Sequence, residues 1–476
     1  MITFSAAIVC LLAGYFLYGA LVERVFSPDG KSEMPCYSKR DGVDYIPIPA
    51  WRVFLIQFLN IAGTGPIFGA IMGILFGPSA YLWIVLGCIF AGAVHDYMCG
   101  MICVRKGGVS LPEVVGDELG SVVRLLMRVC SLVLLVLVGA VFVTTPASLL
   151  DSMTPDSGWL WTNACWIAII LLYYLLATFL PIDKLISKVY PLFGGALLLM
   201  ALGIGWNIYA AEGWLPELTD GLLESHHPKG LPIFPMLCIT IACGAISGFH
   251  GTQSPLMARC MTNERYGRPI FYGAMITEGV VALVWAAAAV KFASTLPGEA
   301  DATAYEKLAS MGNPAIVVKE VCTSWMGSVG AVLAVLGVVA APITSGDTAF
   351  RSARLIAADF LHVPQDKAWL RLALCLPLFA IATLLMFVDF NVLWRYFAWF
   401  NQTLACITLW AATAWLRRSG RCHWIAFVPA LFMTVVCTSY IIIAPEGFQL
   451  PLGYGLGAGI ALMVSLAALF ALKRKG

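Results

Sequence analysis

Along most of the chain, apolar residues continue for about twenty positions at a time, between breaks that carry charge, proline or glycine. A helix needs roughly 20 apolar residues to cross the hydrocarbon of a bilayer, and only there do all its backbone polar groups find partners without water. About thirteen such runs emerge on this criterion. They extend from Thr3 to Val25, Trp51 to Phe76, Pro78 to Val104, Val123 to Thr145, Trp161 to Leu180 and Val189 to Tyr209. A second group covers Leu231 to Met257, Ile270 to Ala293, Trp325 to Phe350, Trp369 to Phe387 and Val392 to Trp415, followed by Trp424 to Ile443 and Leu452 to Leu472. The first run has no basic region ahead of it and no small-residue cleavage site behind it, so it reads as a retained span.

Charge orients these runs, because cytoplasmic loops carry the excess of Lys and Arg. With the first terminus outside, all but Lys229, Lys291, Lys307, Lys319 and Arg395 of the 29 basic residues fall on the inner side. An odd number of spans is thereby expected, with a cytoplasmic C-terminus in a bacterial-type inner membrane. Two outer loops, Ala210 to Gly230 and Lys291 to Ser324, are long enough to fold over an entrance, and Ala302 to Met311 in the second reads as helical.

Composition agrees with a chain solvated mainly by lipid: 60% hydrophobic residues, 12% charged residues and a mean hydropathy of +0.86. A net charge of +2 offers no basic field for nucleic acid. The 15 cysteines fall mostly singly in apolar runs, without metal-ligand spacing, which suits small apolar packing.

Two runs are interrupted. The stretch Gln57-Phe58-Leu59-Asn60-Ile61-Ala62-Gly63-Thr64-Gly65-Pro66 carries two glycines, a threonine and a proline in mid-span. A new half-helix is expected near Pro66, since proline suits the first helical turn and Thr or Gly suits the cap. The signal recurs in Gly244-Ala245-Ile246-Ser247-Gly248-Phe249-His250-Gly251-Thr252-Gln253-Ser254-Pro255, which the charge count runs in the opposite direction. Such an inverted pair points to a transporter binding site, because irregular backbone persists at that depth only where it is buried in protein or lines a cavity. The free N–H groups of a half-helix N-terminus suit a carboxylate. Two kinked helices packed through small residues are the plainer alternative.

Polar residues elsewhere in the spans add candidates. His95 and Asp96 are expensive in an apolar run and therefore functional candidates. Lying about 100° apart on a helix, they predict one group facing a cavity while the other pairs with Arg351 or Arg354. His250, inside the interrupted segment, is a candidate proton carrier. Ala341, Thr344 and Ser345 place a carbonyl and two hydroxyls on one helical face, suited to a monovalent cation or to back-bonding within the helix. Asp347 is a proton site, a cation ligand or the i+4 partner of Arg351. Asn401 and Gln402 are adjacent amides that need partners when buried. Nucleotide-binding and hydrolase motifs in a meaningful context are missing; Ser247 with His250 is the nearest approach to an embedded nucleophile. No enzymatic activity and no cofactor are expected. A channel or a membrane sensor remains as the other functional class.

The stretches Gly63-Thr64-Gly65-Pro66-Ile67-Phe68-Gly69-Ala70, His95-Asp96-Tyr97 before Gly107-Gly108, Ile246-Ser247-Gly248-Phe249-His250 and Thr344-Ser345-Gly346-Asp347-Thr348-Ala349-Phe350-Arg351, with Asn401-Gln402, resemble the carbon starvation (CstA) family of membrane transporters. The resemblance implies an all-α, LeuT-like (APC-type) core of five-plus-five inverted spans. Here 51–210 and 231–416 would be the repeats, 1–50 an extra span with its loop, and 422–476 two further spans. It implies uptake of pyruvate by proton symport, or of small peptides. The family's longer members carry an additional C-terminal region, whose function is not carried over. Ala341, Thr344 and Ser345, with carbonyls near Ala62, look like the sodium site of LeuT-fold symporters, so sodium is the alternative coupling ion.

The expected mechanism is alternating access. Substrate carboxylate meets the N–H groups around Gly63, Thr64 and Gly65, opposite Ser247, His250, Thr252 and Gln253, with Asn401 and Gln402 nearby. His95, Asp96, His250 or Asp347 serve ion coupling. Apart from lipid, a small solute is the only partner expected, and the sequence leaves the oligomeric state open.

Overall fold

The computed structural model describes residues 1–42, 44–154, 162–178, 182–298, 301–365 and 367–472, the side chains of 182–189 and 391 excepted. The regular elements among the described residues are all helices, without a strand. In chain order the helices are α1 (Ile2–Phe26), α2 (Pro35–Ser38), α3 (Ala50–Ile61), α4 (Gly65–Gly73), α5 (Ser79–Gly87), α6 (Ala93–Arg105), α7 (Leu111–Leu119), α8 (Ser121–Met153), α9 (Asn163–Ala177) and α10 (Ile182–Ala210). There follow α11 (Ile233–Thr240), α12 (Gly248–Ala258), α13 (Gly273–Ser294), α14 (Ala304–Ser310), α15 (Pro314–Ala334), α16 (Ala340–Leu361), α17 (Ala368–Leu385), α18 (Phe390–Arg418), α19 (Trp424–Ile443) and α20 (Leu452–Leu472).

Among the described residues nine helical stretches are long and apolar enough to cross a membrane, or ten if the bent pair α3 and α4 counts as one. The other expected crossings take different forms. Helix α9 has 15 residues; α11 and α12 have 8 and 11 with seven residues, 241–247, between them; and α18 has 29 with Arg395, Asn401 and Gln402 among its apolar side chains. The expected helix from Trp325 to Phe350 is longer at both ends, since α15 starts at Pro314 and bends at Gly327, where φ is +58°.

Polarity is arranged for lipid. Ile2, Leu17, Leu202, Trp206, Leu384 and Leu472 are exposed on the outer helices, whereas Gln57, Asn60, His95, Asp96, His250, Glu278 and Gln402 are fully buried. Close helix packing in a bilayer relies on small residues, and α13 supplies them in the buried run Ala286 to Ala289 beside Trp285. Three five-residue π-helical segments, Cys88–Gly92, Arg268–Tyr272 and Val335–Val339, lead directly into α6, α13 and α16.

Both faces of the core are covered by loops. On one, the expected lid loops pack together: Tyr305 of α14 lies 4.8 Å from the ring of His226 and 5.9 Å from that of Trp214, and Thr303 with Glu306 forms a capping box at α14. On the other, residues 34–42 and 44–48 lie across the end of α12. The Ile48 N–H donates to the Cys260 carbonyl at 3.0 Å and the Tyr45 hydroxyl to the Gly107 carbonyl at 3.3 Å. Arg259 donates to the Gly108 carbonyl at 2.8 Å with its guanidinium 5.1 Å over the Tyr45 ring.

Candidate site at the two helix breaks

The break between α3 and α4 is a 46° bend over residues 62–64. Gly65 and Pro66 open α4, and no side chain caps it. Its N-cap, Thr64, is buried with a hydroxyl that has no hydrogen-bond partner. The second break lies directly against the first. A Cβ on Gly65 would fall 2.3 Å from the Cys243 Sγ, and one on Gly69 would fall 3.0 Å from the Thr240 carbonyl oxygen, so glycine here is what permits the approach. Gly92 does the same for the bulged start of α6, where a Cβ would lie 2.1 Å from the Ala245 carbonyl oxygen.

The second break differs from expectation in place. It covers 241–247, and α12 is already helical at Gly248, so Gly251, Thr252 and Pro255 lie within a helix. Pro255, eight residues into α12, cannot donate to the Gly251 carbonyl, which accepts from the Cys99 thiol at 3.4 Å. Asn401 of α18 caps α12 from across the interface: its Oδ1 accepts from the Phe249 N–H at 2.7 Å and from the Ser247 hydroxyl at 2.9 Å. That partner satisfies part of the N-terminal donor set that had been expected to face substrate. Gln402, the next residue, donates to the Cys238 carbonyl at the end of α11 and keeps its Oε1 without a partner. Gln253 donates to the Thr252 hydroxyl at 3.0 Å, which itself bonds back to the Phe249 carbonyl at 2.7 Å.

Aromatic rings cover the breaks. Phe142 sits on Gly63, where a Cβ would come within 2.7 Å of it; its ring is 5.8 Å from Phe249 and 6.2 Å from Phe397, and Trp394 is 6.1 Å from Phe68. Beyond Phe68 is a cavity of about 220 Å³ lined by Thr145, Ser148, Asn163, Asn313 and Leu393 among others.

Behind the breaks lies a buried acid and imidazole cluster. The Asp96 carboxylate meets both histidines, Nδ1 of His95 at 2.7 Å from Oδ1 and Nδ1 of His250 at 2.9 Å from Oδ2. The expected pairing of Asp96 with Arg351 or Arg354 is not what forms. His95 and Asp96 converge although a helix separates their faces, because Asp96 reaches back to the neighbouring ring while its other oxygen meets α12. Glu278 of α13 completes the cluster, 3.4 Å from His250 Nε2, and was absent from the expected set. Among the described residues no group of three or more His, Cys, Asp or Glu has the geometry to hold a metal ion.

On α16, Thr344 bonds back to the Ala341 carbonyl at 2.8 Å, while Ser345 reaches the Leu59 carbonyl of α3 at 3.0 Å. Thr348 donates to the Ser345 carbonyl at 3.0 Å. The expected cation face thus does meet the end of α3, through Leu59, three residues before Ala62. Thr344 thus takes the back-bonding alternative, in the first turns of α16, and Ser345 reaches across to α3. Asp347 accepts from the Tyr190 hydroxyl at 2.8 Å, a partner the i+4 rule did not indicate.

A model of the family described as carbon starvation protein CstA matches residues 1–161, 151–309 and 298–440. The chain belongs to that family. Among its relatives, an uncharacterized membrane protein of Haemophilus influenzae is 45% identical over 338 residues, 61% of this chain and 91% of that one. The peptide transporter CstA of Bacillus subtilis is 28% identical over 347 residues, covering 60% of this chain and 58% of the other. The pyruvate/proton symporter BtsT of Escherichia coli is 26% identical over 341 residues, 59% of this chain and 47% of that one. The chain thus spans about half the length of these two family members. The crystal structure of MhsT in complex with L-phenylalanine superposes with a TM-score of 0.53 at 12% identity, over 85% of this chain and 98% of that one. The likeness is one of fold.

Proposed function

We propose that this CstA-family protein is a secondary active transporter that takes up a small carboxylate, pyruvate first among candidates, by proton symport with alternating access. The observation that carries the reading is the contact between the two helix breaks, which sets an uncapped α4 N-terminus and the unbonded Thr64 hydroxyl side by side in the buried core. A helix N-terminus offers oriented N–H groups and partial positive charge to an anion. Because Asn401 already occupies the α12 N-terminus, the carboxylate belongs at α4.

On this reading 51–210 and 231–416 are inverted repeats, α1 precedes them and α19 and α20 follow. The cavity beyond Phe68 faces the outside, the aromatic rings close it from the breaks, and Tyr45 to Ile48 with Arg259 seal the cytoplasmic face. The location is the inner membrane, with the first terminus outside. Small peptides are the second substrate reading, favoured by the names of several relatives and by the carboxylate that peptides also carry. Sodium coupling is a second reading of the ion, favoured by the neutral oxygens of Ala341, Thr344, Ser345 and Leu59.

The test is uptake of labelled pyruvate into proteoliposomes under an inward proton gradient, then an inward sodium gradient, with a dipeptide as competitor. Accumulation above equilibrium with protons alone is expected. Accumulation with sodium alone would move coupling to Thr344 and Ser345, and none under either gradient would reject pyruvate. In the same assay Thr64→Val, which keeps the shape and removes the hydroxyl, is expected to raise KM about tenfold by loss of one charge-assisted hydrogen bond. An unchanged KM would take Thr64 out of the site.

A further inference from the structure

The cluster around Asp96 contains a group that the fold leaves without a hydrogen bond. Glu278, His250, Asp96 and His95 all have fully buried side chains, and they come from three elements, α13, α12 and α6. Asp96 uses both carboxylate oxygens on imidazole Nδ1 atoms. With Asp96 ionised, each Nδ1 carries a proton donated to it, and Nε2 of a neutral His250 is then a lone pair. That lone pair faces Glu278 Oε2 at 3.4 Å, and among the described residues neither Glu278 oxygen nor His250 Nε2 has a hydrogen-bond partner of good geometry. An ionised carboxylate there would face a lone pair between fully buried side chains, which is unfavourable electrostatically. A protonated one would donate to it.

The geometry points to Glu278 as the residue that holds the coupling proton and exchanges it with His250 during transport. In the state described, Glu278 carries the proton on a carboxyl oxygen. Transfer breaks that O–H bond and forms an N–H bond at His250 Nε2, leaving imidazolium between two carboxylates, Asp96 and Glu278, with no other atom changing hands. The other titratable groups near the cluster are thiols: Cys243 beside His250 and Ser247, Cys88 beside Glu278 on the π-helical segment, and Cys99 near Gly251. No lysine or arginine pairs with Glu278 among the described residues. His250 lies two residues after the Gly248 that opens α12, and Ser247 and Phe249 are the partners of Asn401. A shift of α12 at the break therefore alters the distance from His250 to Glu278. The proton site and the substrate-side break are thus joined by one helix. This inference rests on the symport reading above.

Two readouts separate the inference from that reading. Infrared pH-difference spectra of the reconstituted protein, taken without substrate, are expected to show a protonated-carboxyl band that disappears in Glu278→Gln and shifts in Glu278→Asp. In proteoliposomes, Glu278→Gln is expected to lower proton-driven accumulation at least about a hundredfold. Its counterflow exchange at equal pH should fall by less than about tenfold, since exchange requires no net proton movement. Glu278→Asp should recover part of the driven accumulation. Retained accumulation in Glu278→Gln, or a carboxyl band that persists in it, would overturn the assignment. If the wild type moves no pyruvate, the substrate reading fails, and the infrared band decides the proton site by itself.

Discussion

Alanine at Gly248 is expected to reduce transport at least about a hundredfold and to lower stability by about 1–3 kcal/mol, the usual cost of overpacking. The added Cβ would fall 2.4 Å from the Asn401 carbonyl oxygen and 2.7 Å from the Ala405 nitrogen, and both are backbone atoms of α18. Backbone in mid-helix cannot step aside as a side-chain tip can, so α12 and α18 must separate. Separation pulls Phe249 and Ser247 from Asn401 and moves His250 relative to Asp96. The control is Gly195→Ala, where a Cβ in α10 meets nothing within 4 Å and helix propensity alone should be neutral to favourable by about 0.5–1 kcal/mol. Thermal unfolding in detergent and pyruvate uptake, measured on both variants, check the pair. Wild-type uptake by Gly248→Ala would mean that the α12 and α18 contact is not needed in the transport cycle.

The second large effect is expected at Asn401. Asn401→Leu keeps the branching at Cγ and has no acceptor, so it orphans two buried donors, the Phe249 N–H and the Ser247 hydroxyl, at about 1–3 kcal/mol each. The loss should appear both as a lower unfolding temperature and as uptake reduced more than about tenfold. Asn401→Asp keeps the acceptor and should recover stability. It also places negative charge at the break, so its KM for a carboxylate should rise above that of the wild type while its stability does not fall with it. If Asn401→Asp instead binds pyruvate as well as the wild type, the carboxylate does not sit near this pair of half-helices.

How much of this was readable from residues varies with the kind of signal. The break at Gly63 to Pro66 was legible because proline and glycine act locally, through φ and the missing N–H. The second break was legible as an event and misplaced by several residues, since Gly251 and Pro255 also fit together inside a helix. The contact between the breaks, through Gly65 and Cys243, joins residues far apart in sequence, and no local rule reports it. Partner choice was poorly legible for the same reason. Asp96 met His250 in place of an arginine, and Asp347 met Tyr190, because helix packing and not sequence spacing decides which buried groups adjoin. Glu278 was different. It is the single acid of α13, and the rule that singled out Asp96, an ionisable group in an apolar run, applies to it equally. The division into repeats is a matter of topology that the charge count only suggests.

The three π-helical segments carry a consequence for the history of the chain. Each accommodates one residue more than an α-helix would over the same length, and each lies immediately before a helix with buried polar groups: α6 with His95 and Asp96, α13 with Glu278, and α16 with Ser345 and Asp347. Losing one codon within Cys88–Gly92 would let the segment relax to an α-helix while the helix on either side keeps its present register, because the widened turn already absorbs the extra residue. Asp96 would then keep its place beside His250 while the widened turn before it is lost. Single-residue gaps at these three places in otherwise similar genes are therefore expected to leave the buried polar positions beyond them facing the same neighbours, whereas a gap elsewhere in the same helices would turn them away.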